Sequence, residues 1–168
     1  MRRETQIRGY GDGRTGTENR IIGEAFLRLL AAVCACLRQR GPTEFLAGDV
    51  AMRMKHRGRG AARSEVFWGG LRPQMNADFR RSNRAMRLRD CYVLLAPSRT
   101  EGKAHAFLLP AGILAELLDA WAAARGTTQE HFHFRVIERD GGRRYVLRAY
   151  GQERDVTEWH MLFTVAGA

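Results

Sequence analysis

The stretch CYVLLAPSRTEGKAHAFLLP, residues 91–110, holds two apolar runs separated by a polar, glycine-containing segment. The runs at 91–97 and 104–110 have the length and composition of buried β-strands, and SRTEGK between them supplies a turn. The pattern predicts an antiparallel hairpin. A run typical of helices, AGILAELLDAWAAAR at 111–125, follows the hairpin directly. The second half of the chain is therefore expected to combine sheet and helix.

A second hairpin is predicted around Asp140-Gly141-Gly142, because glycine-rich pairs of this kind form tight turns between strands. On either side, apolar residues alternate with histidine and arginine, which is the two-residue period of a half-buried strand. The predicted strands lie near 131–138 and 143–150. The last run, WHMLFTV at 159–165, is expected to add an edge strand or a short helix.

The first half of the chain is expected to begin with a flexible basic arm, residues 1–17, followed by a helix near 18–40. Thr17 is a candidate N-cap, and Gly41-Pro42 stops the helix. In such a helix Cys34 and Cys36 would point about 200° apart, so they would not share a metal ion.

Together these elements predict an α+β fold in one domain, residues 18–168. Its mostly antiparallel mixed sheet has strands near 91–97, 104–110, 131–138 and 143–150, packed with helices near 18–40, 73–89 and 111–125. No apolar run reaches the roughly 18 residues of a membrane span, and the N-terminus lacks an apolar signal. The expectation is a cytoplasmic protein that does not insert into membranes.

The positive charge is concentrated in one segment. The whole chain carries a net charge of +10, whereas residues 51–90 alone carry +8 and residues 91–168 are neutral. Codon usage would spread arginine along the chain without regard to acidic residues, so it does not account for this imbalance. A concentrated basic patch is the electrostatic footprint of a phosphate-binding surface.

Within this segment, FRRSNRAMRLRD at 79–90 carries five arginines. On a helix at 73–89, Phe79 and Met86 lie on one face and the arginines on another. One interpretation makes 43–90 a basic helical DNA-binding subregion with a glycine-rich loop at 55–63, although the stretch 44–54 fits either a short helix or a strand. A helix-turn-helix arrangement would make 43–54 the first helix and 73–88 the recognition helix. The predicted nucleic-acid contacts are Arg53, Lys55, Arg57, Arg59, Arg63, Arg80, Arg81, Arg84 and Arg87.

The polar face of the second hairpin is a candidate second basic face. Its residues are His131, His133, Arg135, Arg144 and Arg148. The two histidines fall on one side of a strand, but Zn²⁺ sites generally use three or four protein ligands. No metal site is therefore predicted.

Asp90, Glu101 and Lys103 match the spacing D-x(10)-E-x-K of metal-dependent nucleases. The predicted hairpin, however, places Asp90 and Glu101 at opposite ends, about 20 Å apart. Residues 91–121 resemble the late-core segment of the restriction-endonuclease-like PD-(D/E)XK superfamily, in which two strands, the second ending in a proline, precede a helix. The resemblance covers about a fifth of the chain and implies a degenerate relative that binds DNA without cleaving it; an active nuclease of this kind would need Mg²⁺. Asp49 and Glu24 are the upstream carboxylates that could be remnants of such a site.

Three functions are consistent with these observations. The first is a nucleic-acid-binding protein that grips phosphates and needs no cofactor, with DNA favoured over RNA. The alternative is a metal-dependent DNA endonuclease of restriction or mobile-element type. The second alternative is a protein-interaction module whose basic face meets an acidic partner; helix 111–125 and the terminal WHMLFTV are candidates for a homodimer contact.

Overall fold

The computed structural model describes residues 13–41, 43–57, 65–71, 90–125 and 132–165. Within these ranges the chain has mixed α+β content, as predicted. The helices are α1 (Gly13–Val33) and α2 (Ala111–Arg125), with a 3-10 turn at Thr157–Trp159. The strands are β1 (Leu37–Gln39), β2 (Glu44–Ala47), β3 (Val50–His56), β4 (Glu65–Leu71), β5 (Cys91–Pro97), β6 (Lys103–Pro110), β7 (Phe132–Arg139), β8 (Arg144–Ala149), β9 (Gln152–Asp155) and β10 (His160–Thr164).

The strands form two sheets rather than one. Sheet A has the order β1-β2-β3-β5-β6-β10, and sheet B has the order β4-β7-β8-β9. In sheet A, β3 and β5 run parallel, and all the other neighbouring strands are antiparallel. Both predicted hairpins are confirmed, since β5 pairs with β6 and β7 pairs with β8. The terminal run forms β10 at one edge of sheet A.

Sheet A is covered on both faces, which explains why its central strand is apolar throughout. In β5, Tyr92 and Leu94 join a core cluster with Val136 and Leu147 of sheet B. Val93 and its neighbours on the other face join a second cluster that includes residues of α1. A strand buried on both faces reads as a continuous apolar run instead of an alternating one.

Helix α1 differs from the predicted helix at both ends. It begins at Gly13, so residues 13–17 are helical and Thr17 lies inside the helix instead of capping it. It ends at Val33, and Leu37–Gln39 pair with β2 as β1, so the sheet supplies the backbone hydrogen bonds that a longer helix would have made. Among the described residues, neither helix has the length and apolar character to cross a membrane.

Residues 44–56 form a hairpin, not the first helix of a helix-turn-helix unit. The strands β2 and β3 pair antiparallel, and Gly48 makes the turn with a φ of 65°. That left-handed backbone is readily adopted by glycine, which has no Cβ. The helix-turn-helix interpretation is therefore wrong for 43–54. The predicted helix at 73–89 lies outside the described residues.

Candidate nucleic-acid interface

Strand β3 carries a basic row on one face. Met52 and Met54 are buried in the core cluster beneath α1. Because side chains alternate across a strand, Arg53, Lys55 and Arg57 lie on the opposite face of sheet A. We call these three residues the β3 basic row. The sequence predicted all three as nucleic-acid contacts, and the structure brings them together.

Arg53, the first member of the row, is held by its neighbours. Its Nε lies 3.0 Å from Glu44 Oε1, and only 22% of its side chain is exposed. Its positive charge also acts on Tyr92, a buried phenol whose pKa is raised chiefly by burial and lowered in part by Arg53. Arg53 therefore helps to hold β2 and β3 together. Lys55, farther along the strand, and Arg57, directly after it, are half-buried.

The other predicted contacts on the basic segment fall outside the described residues. They are Arg59, Arg63, Arg80, Arg81, Arg84 and Arg87. Their role stays a prediction from the sequence.

The second basic face is neutralised by carboxylates. Arg135 Nη1 lies 2.8 Å from Glu65 Oε1 on β4, and Arg144 Nε lies 3.2 Å from Asp155 Oδ2 on β9. Arg148 hydrogen-bonds to Glu153, which also accepts from Arg139. The guanidinium groups of Arg148 and Arg139 lower the pKa of Glu153. Alternation within one hairpin could not reveal these partners, because they come from β4 and β9.

Of the two histidines predicted for that face, only His133 lies within the described residues. His133 is exposed, and its ring stacks on Trp68 with centroids 5.5 Å apart and an interplanar angle of 19°. His131 lies outside the described residues. The stacked position of His133 leaves it on the outer side of sheet B, opposite the buried Phe134 and Val136.

The nuclease-like carboxylates do not come together. Asp90 is buried, and its Oδ1 accepts a hydrogen bond from the Ala51 amide at 2.9 Å. Glu101 is exposed in the β5–β6 turn, at the far end of the hairpin. Lys103 donates from Nζ to Thr164 Oγ1 at 2.8 Å. Asp49 is exposed in the β2–β3 turn.

Asp90 makes structural hydrogen bonds with both its side chain and its main chain. Besides the Ala51 contact, its carbonyl accepts a hydrogen bond from the Ala111 amide at 2.7 Å. It therefore ties the start of β5 to β3 and to the first residue of α2. Across the described ranges, no group of three or more histidine, cysteine, aspartate or glutamate side chains is placed to hold a metal ion.

The structure reveals a histidine pair to which the sequence assigned no role. His105 Nδ1 and His160 Nε2 lie 2.9 Å apart, a hydrogen bond between β6 and β10. The His160 ring also lies against Tyr145 of β8, with centroids 3.9 Å apart. The sequence did indicate where His105 lies. Alternation places it on the same face of β6 as Phe107 and Leu109, which pack against sheet B.

Both histidines favour the neutral form. Burial lowers the pKa of His105, and the positive charges of Arg57 and Arg99 lower it further. Burial also lowers the pKa of His160 to about 4, with a further contribution from His105 and an opposing one from Glu138. The electrostatic potential at the pair is therefore positive on the side of Arg57 and Arg99.

Acidification is expected to destabilise the protein through this pair. In the unfolded chain the two histidines have the ordinary pKa of 6.5, so below that pH they bind protons that the folded pair does not bind. The free energy of unfolding therefore falls as the pH drops from about 6.5 to about 4. Because His160 is half-buried and solvent screens its charge, we expect a loss of about 1–2 kcal/mol. Urea unfolding at a series of pH values measures this loss. His160→Gln should reduce it and the exposed control His133→Gln should not; equal losses in all three proteins would contradict the assignment.

Comparison of the chain with protein-family models, with curated proteins and with solved structures finds no significant match. The resemblance of residues 91–121 to the PD-(D/E)XK superfamily therefore stays a prediction. The order strand, strand, helix that carries it is present as β5, β6 and α2.

Proposed function

We propose that this protein binds nucleic acid, with double-stranded DNA favoured, and that the basic segment 51–90 supplies the contacts. One observation carries the proposal. Residues 51–90 hold a net charge of +8 in a chain whose total is +10. A surface with such an excess attracts polyanions over a distance set by the salt concentration.

The ion pairs of sheet B support this assignment. Five arginines between 132 and 165 lie within 4 Å of a carboxylate, so the positive charge of that half is balanced locally. Across residues 91–168 the positive and negative charges are equal in number, and these five arginines also lie next to carboxylates. The β3 basic row marks where the described part of the basic segment presents its charge.

Removal of two arginines from the basic segment tests the proposal. The double variant Arg80→Ala, Arg84→Ala should weaken DNA binding roughly tenfold at about 0.1 M salt, because two phosphate contacts and their released counterions are lost. Fluorescence anisotropy with a labelled duplex measures the affinity. The matched control is Arg143→Ala, Arg154→Ala, which removes the same charge from exposed positions in the neutral half. That control should change affinity less than threefold.

Equal weakening by both double variants would show that only total charge matters and would overturn the assignment to 51–90. Failure of the wild-type chain to bind DNA or RNA, together with a stable complex with an acidic protein, would favour the interaction-module alternative. Cleavage of DNA that EDTA abolishes would favour the endonuclease.

A further inference from the structure

The histidine pair and two arginines converge at one end of sheet A. Arg57 follows β3, and its amide donates to the Leu95 carbonyl of β5 at 2.9 Å. The next residue of β5, Ala96, pairs with His105. Arg99 lies in the turn that follows β5. Four side chains that can donate hydrogen bonds thus come from the residue after β3, from the adjacent strands β6 and β10, and from the turn after β5.

The chemistry of these groups is that of an anion site. Guanidinium groups present planar donors that match phosphate oxygens, and neutral imidazoles add N–H donors. Since the charges of Arg57 and Arg99 disfavour protonation of His105, an anion placed among them would reverse that effect. Glu138 on β7, and Tyr145 on β8, face the pair from sheet B.

We propose that Arg57, Arg99 and the His105–His160 pair bind one phosphate group of a nucleic-acid strand, and that the pair takes up a proton when the phosphate binds. The proposal rests on the proposed function, since it assigns a contact site for the same ligand. It adds a pH dependence that arginine contacts alone would not have. Binding should strengthen as the pH falls toward that of histidine titration.

Acid–base cleavage of the strand is a poorer use of this pair. A general acid and a general base must reach opposite sides of the reacting phosphate. His105 Nδ1 and His160 Nε2 instead contact each other at 2.9 Å, which leaves no room for a phosphate between them. A phosphate would therefore contact the pair from outside, through the half-buried His160, because His105 is buried.

Histidine NMR signals test the proposal directly. The titration midpoints of His105 and His160 are measured in the full chain alone, with a short DNA duplex, and with inorganic phosphate. Saturation with DNA should raise the midpoint of His160 from about 4 to about 6.5, which corresponds to a roughly tenfold gain in affinity between about pH 7.5 and pH 5.5. His133, which is exposed on sheet B, is the internal control and should not shift.

His160→Gln should remove the pH-dependent gain in affinity, whereas the exposed control His133→Gln should keep it. DNA binding with unchanged midpoints would overturn the phosphate site and leave the proposed function standing. If inorganic phosphate shifts the midpoints but no polynucleotide binds, the site stands and the nucleic-acid function fails. No shift with either ligand overturns the site.

Discussion

Raising the salt concentration from about 50 mM to about 200 mM should weaken DNA binding roughly a hundred- to a thousandfold. The size follows from the number of phosphates neutralised. If the basic segment neutralises about four to six, log affinity falls with log salt at a slope of about −4 to −5. Each neutralised phosphate releases a condensed counterion, and release becomes less favourable as the bulk salt concentration rises.

Duplex binding at four or more salt concentrations measures the slope at constant pH. Arg80→Ala, Arg84→Ala should make the slope shallower by about two, whereas the control Arg143→Ala, Arg154→Ala should leave it unchanged. A flat response in the wild-type chain would mean that phosphate contacts do not dominate the affinity, and the proposed function would fail.

Asp90→Ala should lower the free energy of unfolding by about 2 kcal/mol. The substitution leaves the Ala51 amide without the acceptor that now lies 2.9 Å away, in a part of the sheet where Asp90 is buried. A buried donor without a partner costs about 1–3 kcal/mol. Urea unfolding measures the change.

Two variants separate this structural role from a catalytic one. Asp90→Asn keeps an oxygen acceptor and should lose less stability than alanine. Glu101→Ala, in the exposed β5–β6 turn, should change stability by less than about 0.5 kcal/mol. A metal-dependent nuclease would instead lose cleavage with both Asp90→Asn and Glu101→Ala, at unchanged stability.

Local patterns predicted the elements whose partners are close in sequence. The β5–β6 and β7–β8 hairpins and helix α2 follow from composition, period and turn residues over short stretches. The end of α1 was missed because it depends on a competing strand. Leu37–Gln39 continue a helical pattern in isolation, and only pairing with β2 makes them a strand.

That same helix end changes the environment of two thiols. Because α1 stops at Val33, Cys34 and Cys36 are not held on opposite sides of a helix, and their sulfur atoms lie 3.4 Å apart. The prediction that they point apart is wrong for this reason. A helical geometry was assumed for residues that lie in the turn after the helix.

The sequence predicted only those residues of the candidate site that are identified by local net charge. Arg53, Lys55 and Arg57 were found from net charge along the sequence, which is a local property. The His105–His160 contact joins residues 55 positions apart, and the carboxylates that neutralise Arg135 and Arg148 come from other strands. No sequence period encodes such pairs, so they require the sheet order.

Strand β3 meets two requirements with a single register. Its even-numbered methionines fill the core, and its odd-numbered cations form the basic row. A shift of one residue against β5 would turn the cations toward α1 and the methionines outward. Insertion of one residue between Met52 and Arg53 should therefore be far more damaging than most substitutions there, because it would cost the protein its stability and its charged surface together.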